Sequence, residues 1–328
     1  MARKEKSGKI TVANIVSVLG LMLLAFFTYI GHSYMSGGEI GMDILIAALI
    51  TVAAALLLWW LIKAKGAENE LNKWKKIEIS SLIAYILIII PASVFGGIMH
   101  FFVVNDNKTA IKYSAEQDLS VLTKLFTDYE ASAKDVIART RTGLLPAVGT
   151  KQKWSGDLTV FMNDQNISHS KGSAETFVSI QEKAVLGSNY KLQKEYFLAE
   201  KRNIKNTVES WNIIQLPSKS KLIEDLGRKM TEQLNTLRTK GKFPNIGYDA
   251  EKGVYTLKGN HDIPEVKLSH ELQFNSKLKS ASGFNVIAIL VVIGIHLLVL
   301  FNYIMAYRTI TIGISKDSEE DGGITLNL

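Results

Sequence analysis

The 328-residue chain contains no cysteine and only five prolines. The first absence excludes disulfide scaffolds, thiolate metal sites and cysteine nucleophiles, and the second leaves long stretches with no helix-breaking residue. Short catalytic signatures are missing as well: there is no HExxH, no GxSxG, no P-loop and no dinucleotide fingerprint, and the glycines are dispersed. Formal charge is absent from four long blocks, although the chain as a whole carries +7. With 47% hydrophobic and 21% charged residues, a disordered or collagen-like chain is excluded.

The four uncharged blocks cover residues 10–30, 44–62, 79–104 and 284–307. At 1.5 Å per residue about 20 such positions cross a hydrocarbon core of roughly 30 Å, so each block reads as a transmembrane helix. Arg3, Lys4, Lys6 and Lys9 precede the first block like the positive region of a signal peptide. The apolar stretch is longer than a signal peptide needs and no small-x-small cleavage site follows, so it is expected to stay as an anchor. Trp59 and Trp60 close the second block, where an aromatic belt belongs.

Orientation follows from the Lys and Arg residues outside the large central segment. The tail 1–9, the segment 63–78 (Lys63, Lys65, Lys73, Lys75, Lys76) and the tail 308–328 (Arg308, Lys316) carry them all, and the loop 31–43 carries none. The positive-inside rule makes the charged segments cytoplasmic and places residues 31–43 and 105–283 outside. The expected fold class is a multi-pass α-helical membrane protein with four transmembrane helices and a mainly α, minor β extracytoplasmic domain.

Within residues 105–283, Ser114-Ala-Glu-Gln117 has the form of a capping box. Behind it Leu119, Leu122, Phe126, Tyr129, Ala133, Val136 and Ile137 recur at helical steps, with Gly143 and Pro146 as stop signals, in a helix that continues from the third span with little break. Leu158, Val160 and Met162 alternate with polar neighbours, which predicts a short strand. Helical patterns return over 174–214, ended by Pro217, and over 219–238; residues 253–258 and 266–274 read as strands.

Candidate sites are few. His169, His261 and His270 lack the i, i+4 pairing of a zincin motif and read as solvated residues. No catalytic, cofactor or metal residues are assigned, and no enzyme activity is expected. Polar groups inside the spans carry more weight, because lipid makes them costly. His100 and His296 stand out, with Asn14, Ser17, Asn302 and Tyr303 as candidate partners; the four blocks contain no carboxylate for a proton relay. Pro91 predicts a kink in the third span, and Gly96 and Gly97 predict close helix packing there. Ala47, Ala48, Ala53, Ala54 and Ala55 allow a close approach along the second. Lys63, Lys65, Lys73, Trp74, Lys75 and Lys76 form a basic surface suited to anionic lipid, too narrow for nucleic acid. Ile324, Leu326 and Leu328 alternate behind an acidic run, either as a disordered end or as a segment that adds a strand to a cytoplasmic partner.

Three spans behind a basic N-terminus (Arg3, Lys4, Lys6, Lys9), a mostly helical segment from Asn105 to Gly283, and a fourth span followed by the tail Arg308 to Leu328 form an order that resembles TssN. That family is an inner-membrane component of the type VI secretion system of Bacteroidota. The resemblance implies a trans-envelope complex anchoring a contractile injection apparatus, with periplasmic and lipoprotein partners outside, a baseplate-like contact inside and several copies of this chain. It carries no active-site residues over. Two other readings stay open: an extracytoplasmic sensor with a separate cytoplasmic partner, and a channel or membrane-bound enzyme.

Overall fold

The computed structural model describes residues 11–66, 71–306, 309–312 and 324–327. In chain order its elements begin with α1 (Val12–Ser36), α2 (Ile40–Lys65), α3 (Leu71–Ala84), α4 (Ile90–Ser93) and α5 (Met99–Asp106). There follow α6 (Lys108–Ala147), α7 (Gly156–Asp164), α8 (Lys171–Leu186), α9 (Ser188–Ser210) and α10 (Leu216–Arg238). The chain continues with β1 (Pro244–Asp249), β2 (Val254–Asn260), α11 (Phe274–Ser280), α12 (Val286–Met305), β3 (Thr309–Ile312) and β4 (Ile324–Asn327). Contacts divide it into two units: Met1–Ile111 with Asn212–Ser220 and Asn275–Leu328, and Lys112–Trp211 with Lys221–Phe274.

The first unit is built on four helices long and apolar enough to cross a membrane: α1, α2, the path Trp74–Asp106 and α12. They run alternately up and down around a core of Leu24, Ala54, Leu58, Tyr85, Ile89, Ile98, Val292, Ile295 and Val299. Only 22–28% of each apolar window is buried within the chain, so most of the apolar surface, including Leu49, Leu87, Phe95 and Leu290, faces outward. Helices apolar all round and bare outside need lipid or other protein around them.

Each helix presents a narrow inward stripe. On α1 it is Ser17, Gly20, Leu24, Thr28 and Gly31, and on α2 it is Asp43, Ala47, Ala54, Leu58 and Leu61. A Cβ on Gly20 would lie 2.5 Å from the backbone nitrogen of Val299, and one on Gly31 would lie 1.9 Å from the carbonyl oxygen of Gly97. The crossings of α1 with α12 and with the third helical path are therefore backbone on backbone, the geometry small residues permit. Gly96 instead meets Ile50 and Thr28 side chains. Of the alanines on α2, Ala47 and Ala54 face inward and Ala48 faces out.

The third path is continuous through Pro91 and uses two π turns, Tyr85–Ile89 and Val94–Ile98, on either side of it. Wide π turns absorb the hydrogen bond that proline cannot make. The kink expected at Pro91 lies instead at Gly97, whose φ of 143° and ψ of −26° only glycine adopts readily.

Helices also extend past the uncharged blocks. The expected loop 31–43 is reduced to the turn between α1 and α2, where Gly37 and Gly38 take positive φ. Asp43 and Glu78 consequently lie within the helical paths long and apolar enough to cross a membrane, Ile40–Lys65 and Trp74–Asp106, while the uncharged blocks 44–62 and 79–104 themselves hold no carboxylate. Near this turn the unit recruits later segments: Tyr34 donates to the Ile213 carbonyl (3.0 Å), and His100 Nε2 donates to the Leu278 carbonyl (2.8 Å).

The second unit packs α6 with α7, α8, α9, α10 and the β1/β2 hairpin. Its centre is aromatic, with Phe126 stacked on Phe197 at 5.0 Å and Tyr129 beside Tyr190 at 5.6 Å. Leu122, Ile223, Leu226, Met230 and Leu234 complete the buried layer. Several sequence expectations are corrected here. Ser114 sits inside α6, which starts earlier, so it forms no capping box. Residues 158–162 are helical in α7, because Ser155 accepts from the Leu158 N–H and Asp157 sits in the first turn. The stretch 174–214 breaks at Gly187, and Pro217 is in the first turn of α10, where a missing N–H costs nothing. Residues 266–273 are irregular: the Asn235 amide accepts from the Val266 N–H (2.9 Å) and donates to its carbonyl (2.8 Å), as a neighbouring strand would. The strand expected over 253–258 is present as β2.

Glu130 ties α6 to α9. Its carboxylate accepts from Lys134 (2.7 Å), Lys194 (2.7 Å) and Tyr190 (2.9 Å), and these bonds, Lys134 first, hold its pKa down at about 2. Burial, and then Glu130 itself, push the Tyr190 hydroxyl up. A carboxylate whose pKa is depressed by folding adds stability above its unfolded value and loses it as pH falls toward the folded one. Glu130→Gln should therefore lower stability by about 1 kcal/mol at pH 7, a figure discounted for solvent screening. Thermal unfolding followed against pH should show the gap to the parent protein closing between 4.5 and about 2.

Candidate functional site

The most concentrated chemistry in the described residues lies inside the helix bundle of the first unit. His296 is buried on α12, with the Tyr85 oxygen 2.9 Å from Nδ1 and the Ser93 oxygen 2.8 Å from Nε2. Ser93 also donates to the Ile90 carbonyl at 2.8 Å. That bond commits the Ser93 proton, so Ser93 accepts from Nε2–H and Nδ1 accepts from the Tyr85 hydroxyl. The network thus assigns the neutral Nε2–H tautomer, with every proton used once. The π turn beginning at Tyr85 helps to set the reach of that side chain, and Ser93 ends the short α4 that carries Pro91.

A second pair joins α1 to α2. His32 Nδ1 lies 2.7 Å from Asp43 Oδ1, and the Asp43 side chain is fully buried. Asp43 Oδ2 and the Thr28 hydroxyl are also buried, with no hydrogen-bond partner among the described residues. A buried acid-base pair in an apolar bundle is costly to assemble and costly to break.

A third group closes the opposite end of the bundle. The Tyr303 hydroxyl donates to Glu78 Oε1 (2.8 Å), and Lys65 donates to the Tyr303 carbonyl (2.8 Å) while lying 4.7 Å from the Tyr303 ring. An ammonium on the last carbonyls of α12 meets the negative end of its dipole. Nearby, Ser17 accepts from the Asn302 N–H at 2.9 Å, and the Asn302 amide donates to Asn14. Among the described residues no group of three or more His, Asp or Glu could hold a metal ion.

No protein-family model, curated protein or solved structure matches this chain.

Asn14, Ser17, Asn302 and Tyr303, taken from the sequence as partners for the histidines, partner one another, Glu78 and Lys65 instead. His100 is bound to the Leu278 carbonyl. Of the basic surface, Lys65 is engaged at α12 and Lys63 lies over Trp59 and Trp60 at 5.0 and 5.6 Å. Lys75 and Lys76 are exposed, Trp74 is half-buried, and the Lys73 side chain lies outside the described residues. Ile324 and Leu326 lie in β4, which pairs with β3 of the same chain in the register Ile312↔Ile324 and Ile310↔Leu326; Leu328 lies outside the described residues.

Sequence reasoning missed His32, Asp43, Tyr85, Ser93 and Glu78. One signal was available: His32 precedes and Asp43 follows the Gly37-Gly38 turn by equal intervals, which makes them face each other across a helical hairpin.

Proposed function

We propose that this protein is a structural subunit of an envelope-spanning complex in a bacterial inner membrane, the trans-envelope anchor of a type VI secretion system. Both termini are then cytoplasmic and the unit formed by Lys112–Trp211 and Lys221–Phe274 is periplasmic. The observation that carries the reading is the architecture. A bundle of four apolar helices leaves most of its apolar surface outside, and a helical unit of its own core is inserted between the third helix and the last. That is the form of a membrane base presenting a domain to partners, and its order of parts is the one in which the chain resembles TssN.

A mild-detergent pull-down of the tagged full-length protein from native membranes tests it, with mass spectrometry of the companions and the native mass of the complex. The expected result is a large, multi-copy assembly containing lipoproteins and contractile-sheath or baseplate proteins. A small homo-oligomer without companions overturns the proposal.

A further inference from the structure

Three polar stations lie along the bundle: Asp43–His32 near the α1–α2 turn, Ser93–His296–Tyr85 in the middle, and Tyr303–Glu78 at the Lys65 end. An anchor does not need them. A packed apolar bundle is held more cheaply by small residues and alkyl side chains than by buried imidazole and carboxylate groups.

The stations are related by position. Gly97, one turn beyond Ser93, lies against the backbone of Gly31 and His32, and Gly96 lies beside Thr28, one turn before His32. The missing side chains at Gly96 and Gly97 bring the polar edge of α1 against the third helical path. Thr28, whose methyl lies beside Gly96, has a buried hydroxyl that is unpartnered among the described residues, as is Asp43 Oδ2. Toward the other end, Tyr85 and Glu78 are two turns apart on one helix, and His296 and Tyr303 are two turns apart on the helix facing it. The two rungs share one face, separated by about 10 Å.

We propose that these groups form a proton path through the helix bundle, entered at Asp43–His32 and left at Tyr303–Glu78. A proton is the ion they suit. A dehydrated metal cation needs several oxygen ligands at once, whereas each station offers a single donor-acceptor contact or a short chain of them.

Inward transfer uses both ring nitrogens of His296. With the ring in its Nδ1–H form, Nε2 takes the Ser93 proton while Ser93 is reprotonated from the Thr28 side. The imidazolium then gives its Nδ1 proton to the Tyr85 oxygen as the Tyr85 proton moves on toward Glu78. This leaves the Nε2–H tautomer, the form the network assigns. For the next proton the side chain turns over, carrying Nε2–H to the Tyr85 side and bare Nδ1 to the Ser93 side, so that Nδ1 takes the proton arriving from Ser93. One proton crosses, no electron moves and the hydroxyls regain their protons. The path requires water in the interval of about 10 Å between Tyr85 and Glu78, and that step limits the rate.

The test is proton uptake by liposomes holding the full-length protein and a trapped pH dye, driven by a potassium diffusion potential. Flux should exceed that of protein-free vesicles, and Asp43→Asn and His296→Gln should each slow it at least tenfold. Phe95→Ala, on the outward surface, should leave it unchanged. Tyr85→Phe and Ser93→Ala remove single hydroxyls, and they replace any variant that does not elute as the parent does; each should slow flux at least threefold. Parent flux no greater than the protein-free leak overturns the proposal. So does parental flux in the variants, or a flux that follows sodium rather than the proton gradient.

Discussion

Gly31→Ala should destabilise the bundle by about 3 kcal/mol or more, a large effect for a single methyl group. The added carbon would lie 1.9 Å from the Gly97 carbonyl oxygen and 2.3 Å from its carbon. Both obstacles are backbone, so no rotamer change relieves the clash. Gly97 cannot yield either, because its φ of 143° is tied to the kink between the π turn and α5. The remaining response is for α1 and the third helical path to separate, which loosens the contacts that hold Thr28 and His32 in place. Reversible unfolding in mixed micelles, followed by helicity, measures the loss. Gly41→Ala and Gly294→Ala are the controls: a Cβ there meets nothing within 4 Å, and each should be neutral or stabilising by up to about 1 kcal/mol. Equal behaviour of all three variants would contradict the backbone contact.

His296→Ala should cost about 3 kcal/mol, the sum of a cavity in a packed core and the loss of two hydrogen bonds. Tyr85 suffers most, because its buried hydroxyl loses the partner the structure gives it, while Ser93 keeps the Ile90 carbonyl. Tyr85→Phe removes one hydroxyl, leaves Nδ1 bare and should cost only about 1 kcal/mol, in line with hydrogen bonds measured inside membranes. The double variant should cost less than the two singles added, since the second change removes a group the first had already stranded. Strict additivity in the same unfolding assay would show that the two side chains do not interact.

The four apolar helices were legible in the sequence because an uncharged run of about 20 residues marks a long apolar helix without reference to any neighbour. Their ends were not, since a helix can carry Asp43 or Glu78 past the uncharged block once a partner covers the charge. The same limit explains the histidines. That His296 would need partners could be read from the cost of burying an imidazole, but those partners sit on another helical path, and periodicity within one segment says nothing about which faces meet. Pro91 was a fair place to expect a bend, yet its missing hydrogen bond is absorbed locally by π turns, and the bend falls where Gly97 lies against Gly31. In the second unit, alternation over Leu158–Met162 pointed to a strand, and the Ser155 cap decided for a helix. Local capping chemistry outweighs a three-residue pattern.

The Tyr85–His296 contact joins residues 211 positions apart, and α12 is the last of the four long helices to be synthesised. At a ribosomal pace of about 5–20 residues per second, roughly 10–40 seconds separate the two partners. During that interval the Tyr85 hydroxyl lacks this partner, and the groove that receives α12 is open along Gly20 and Ser17. Completion of the bundle thus depends on the late arrival of one histidine-bearing helix.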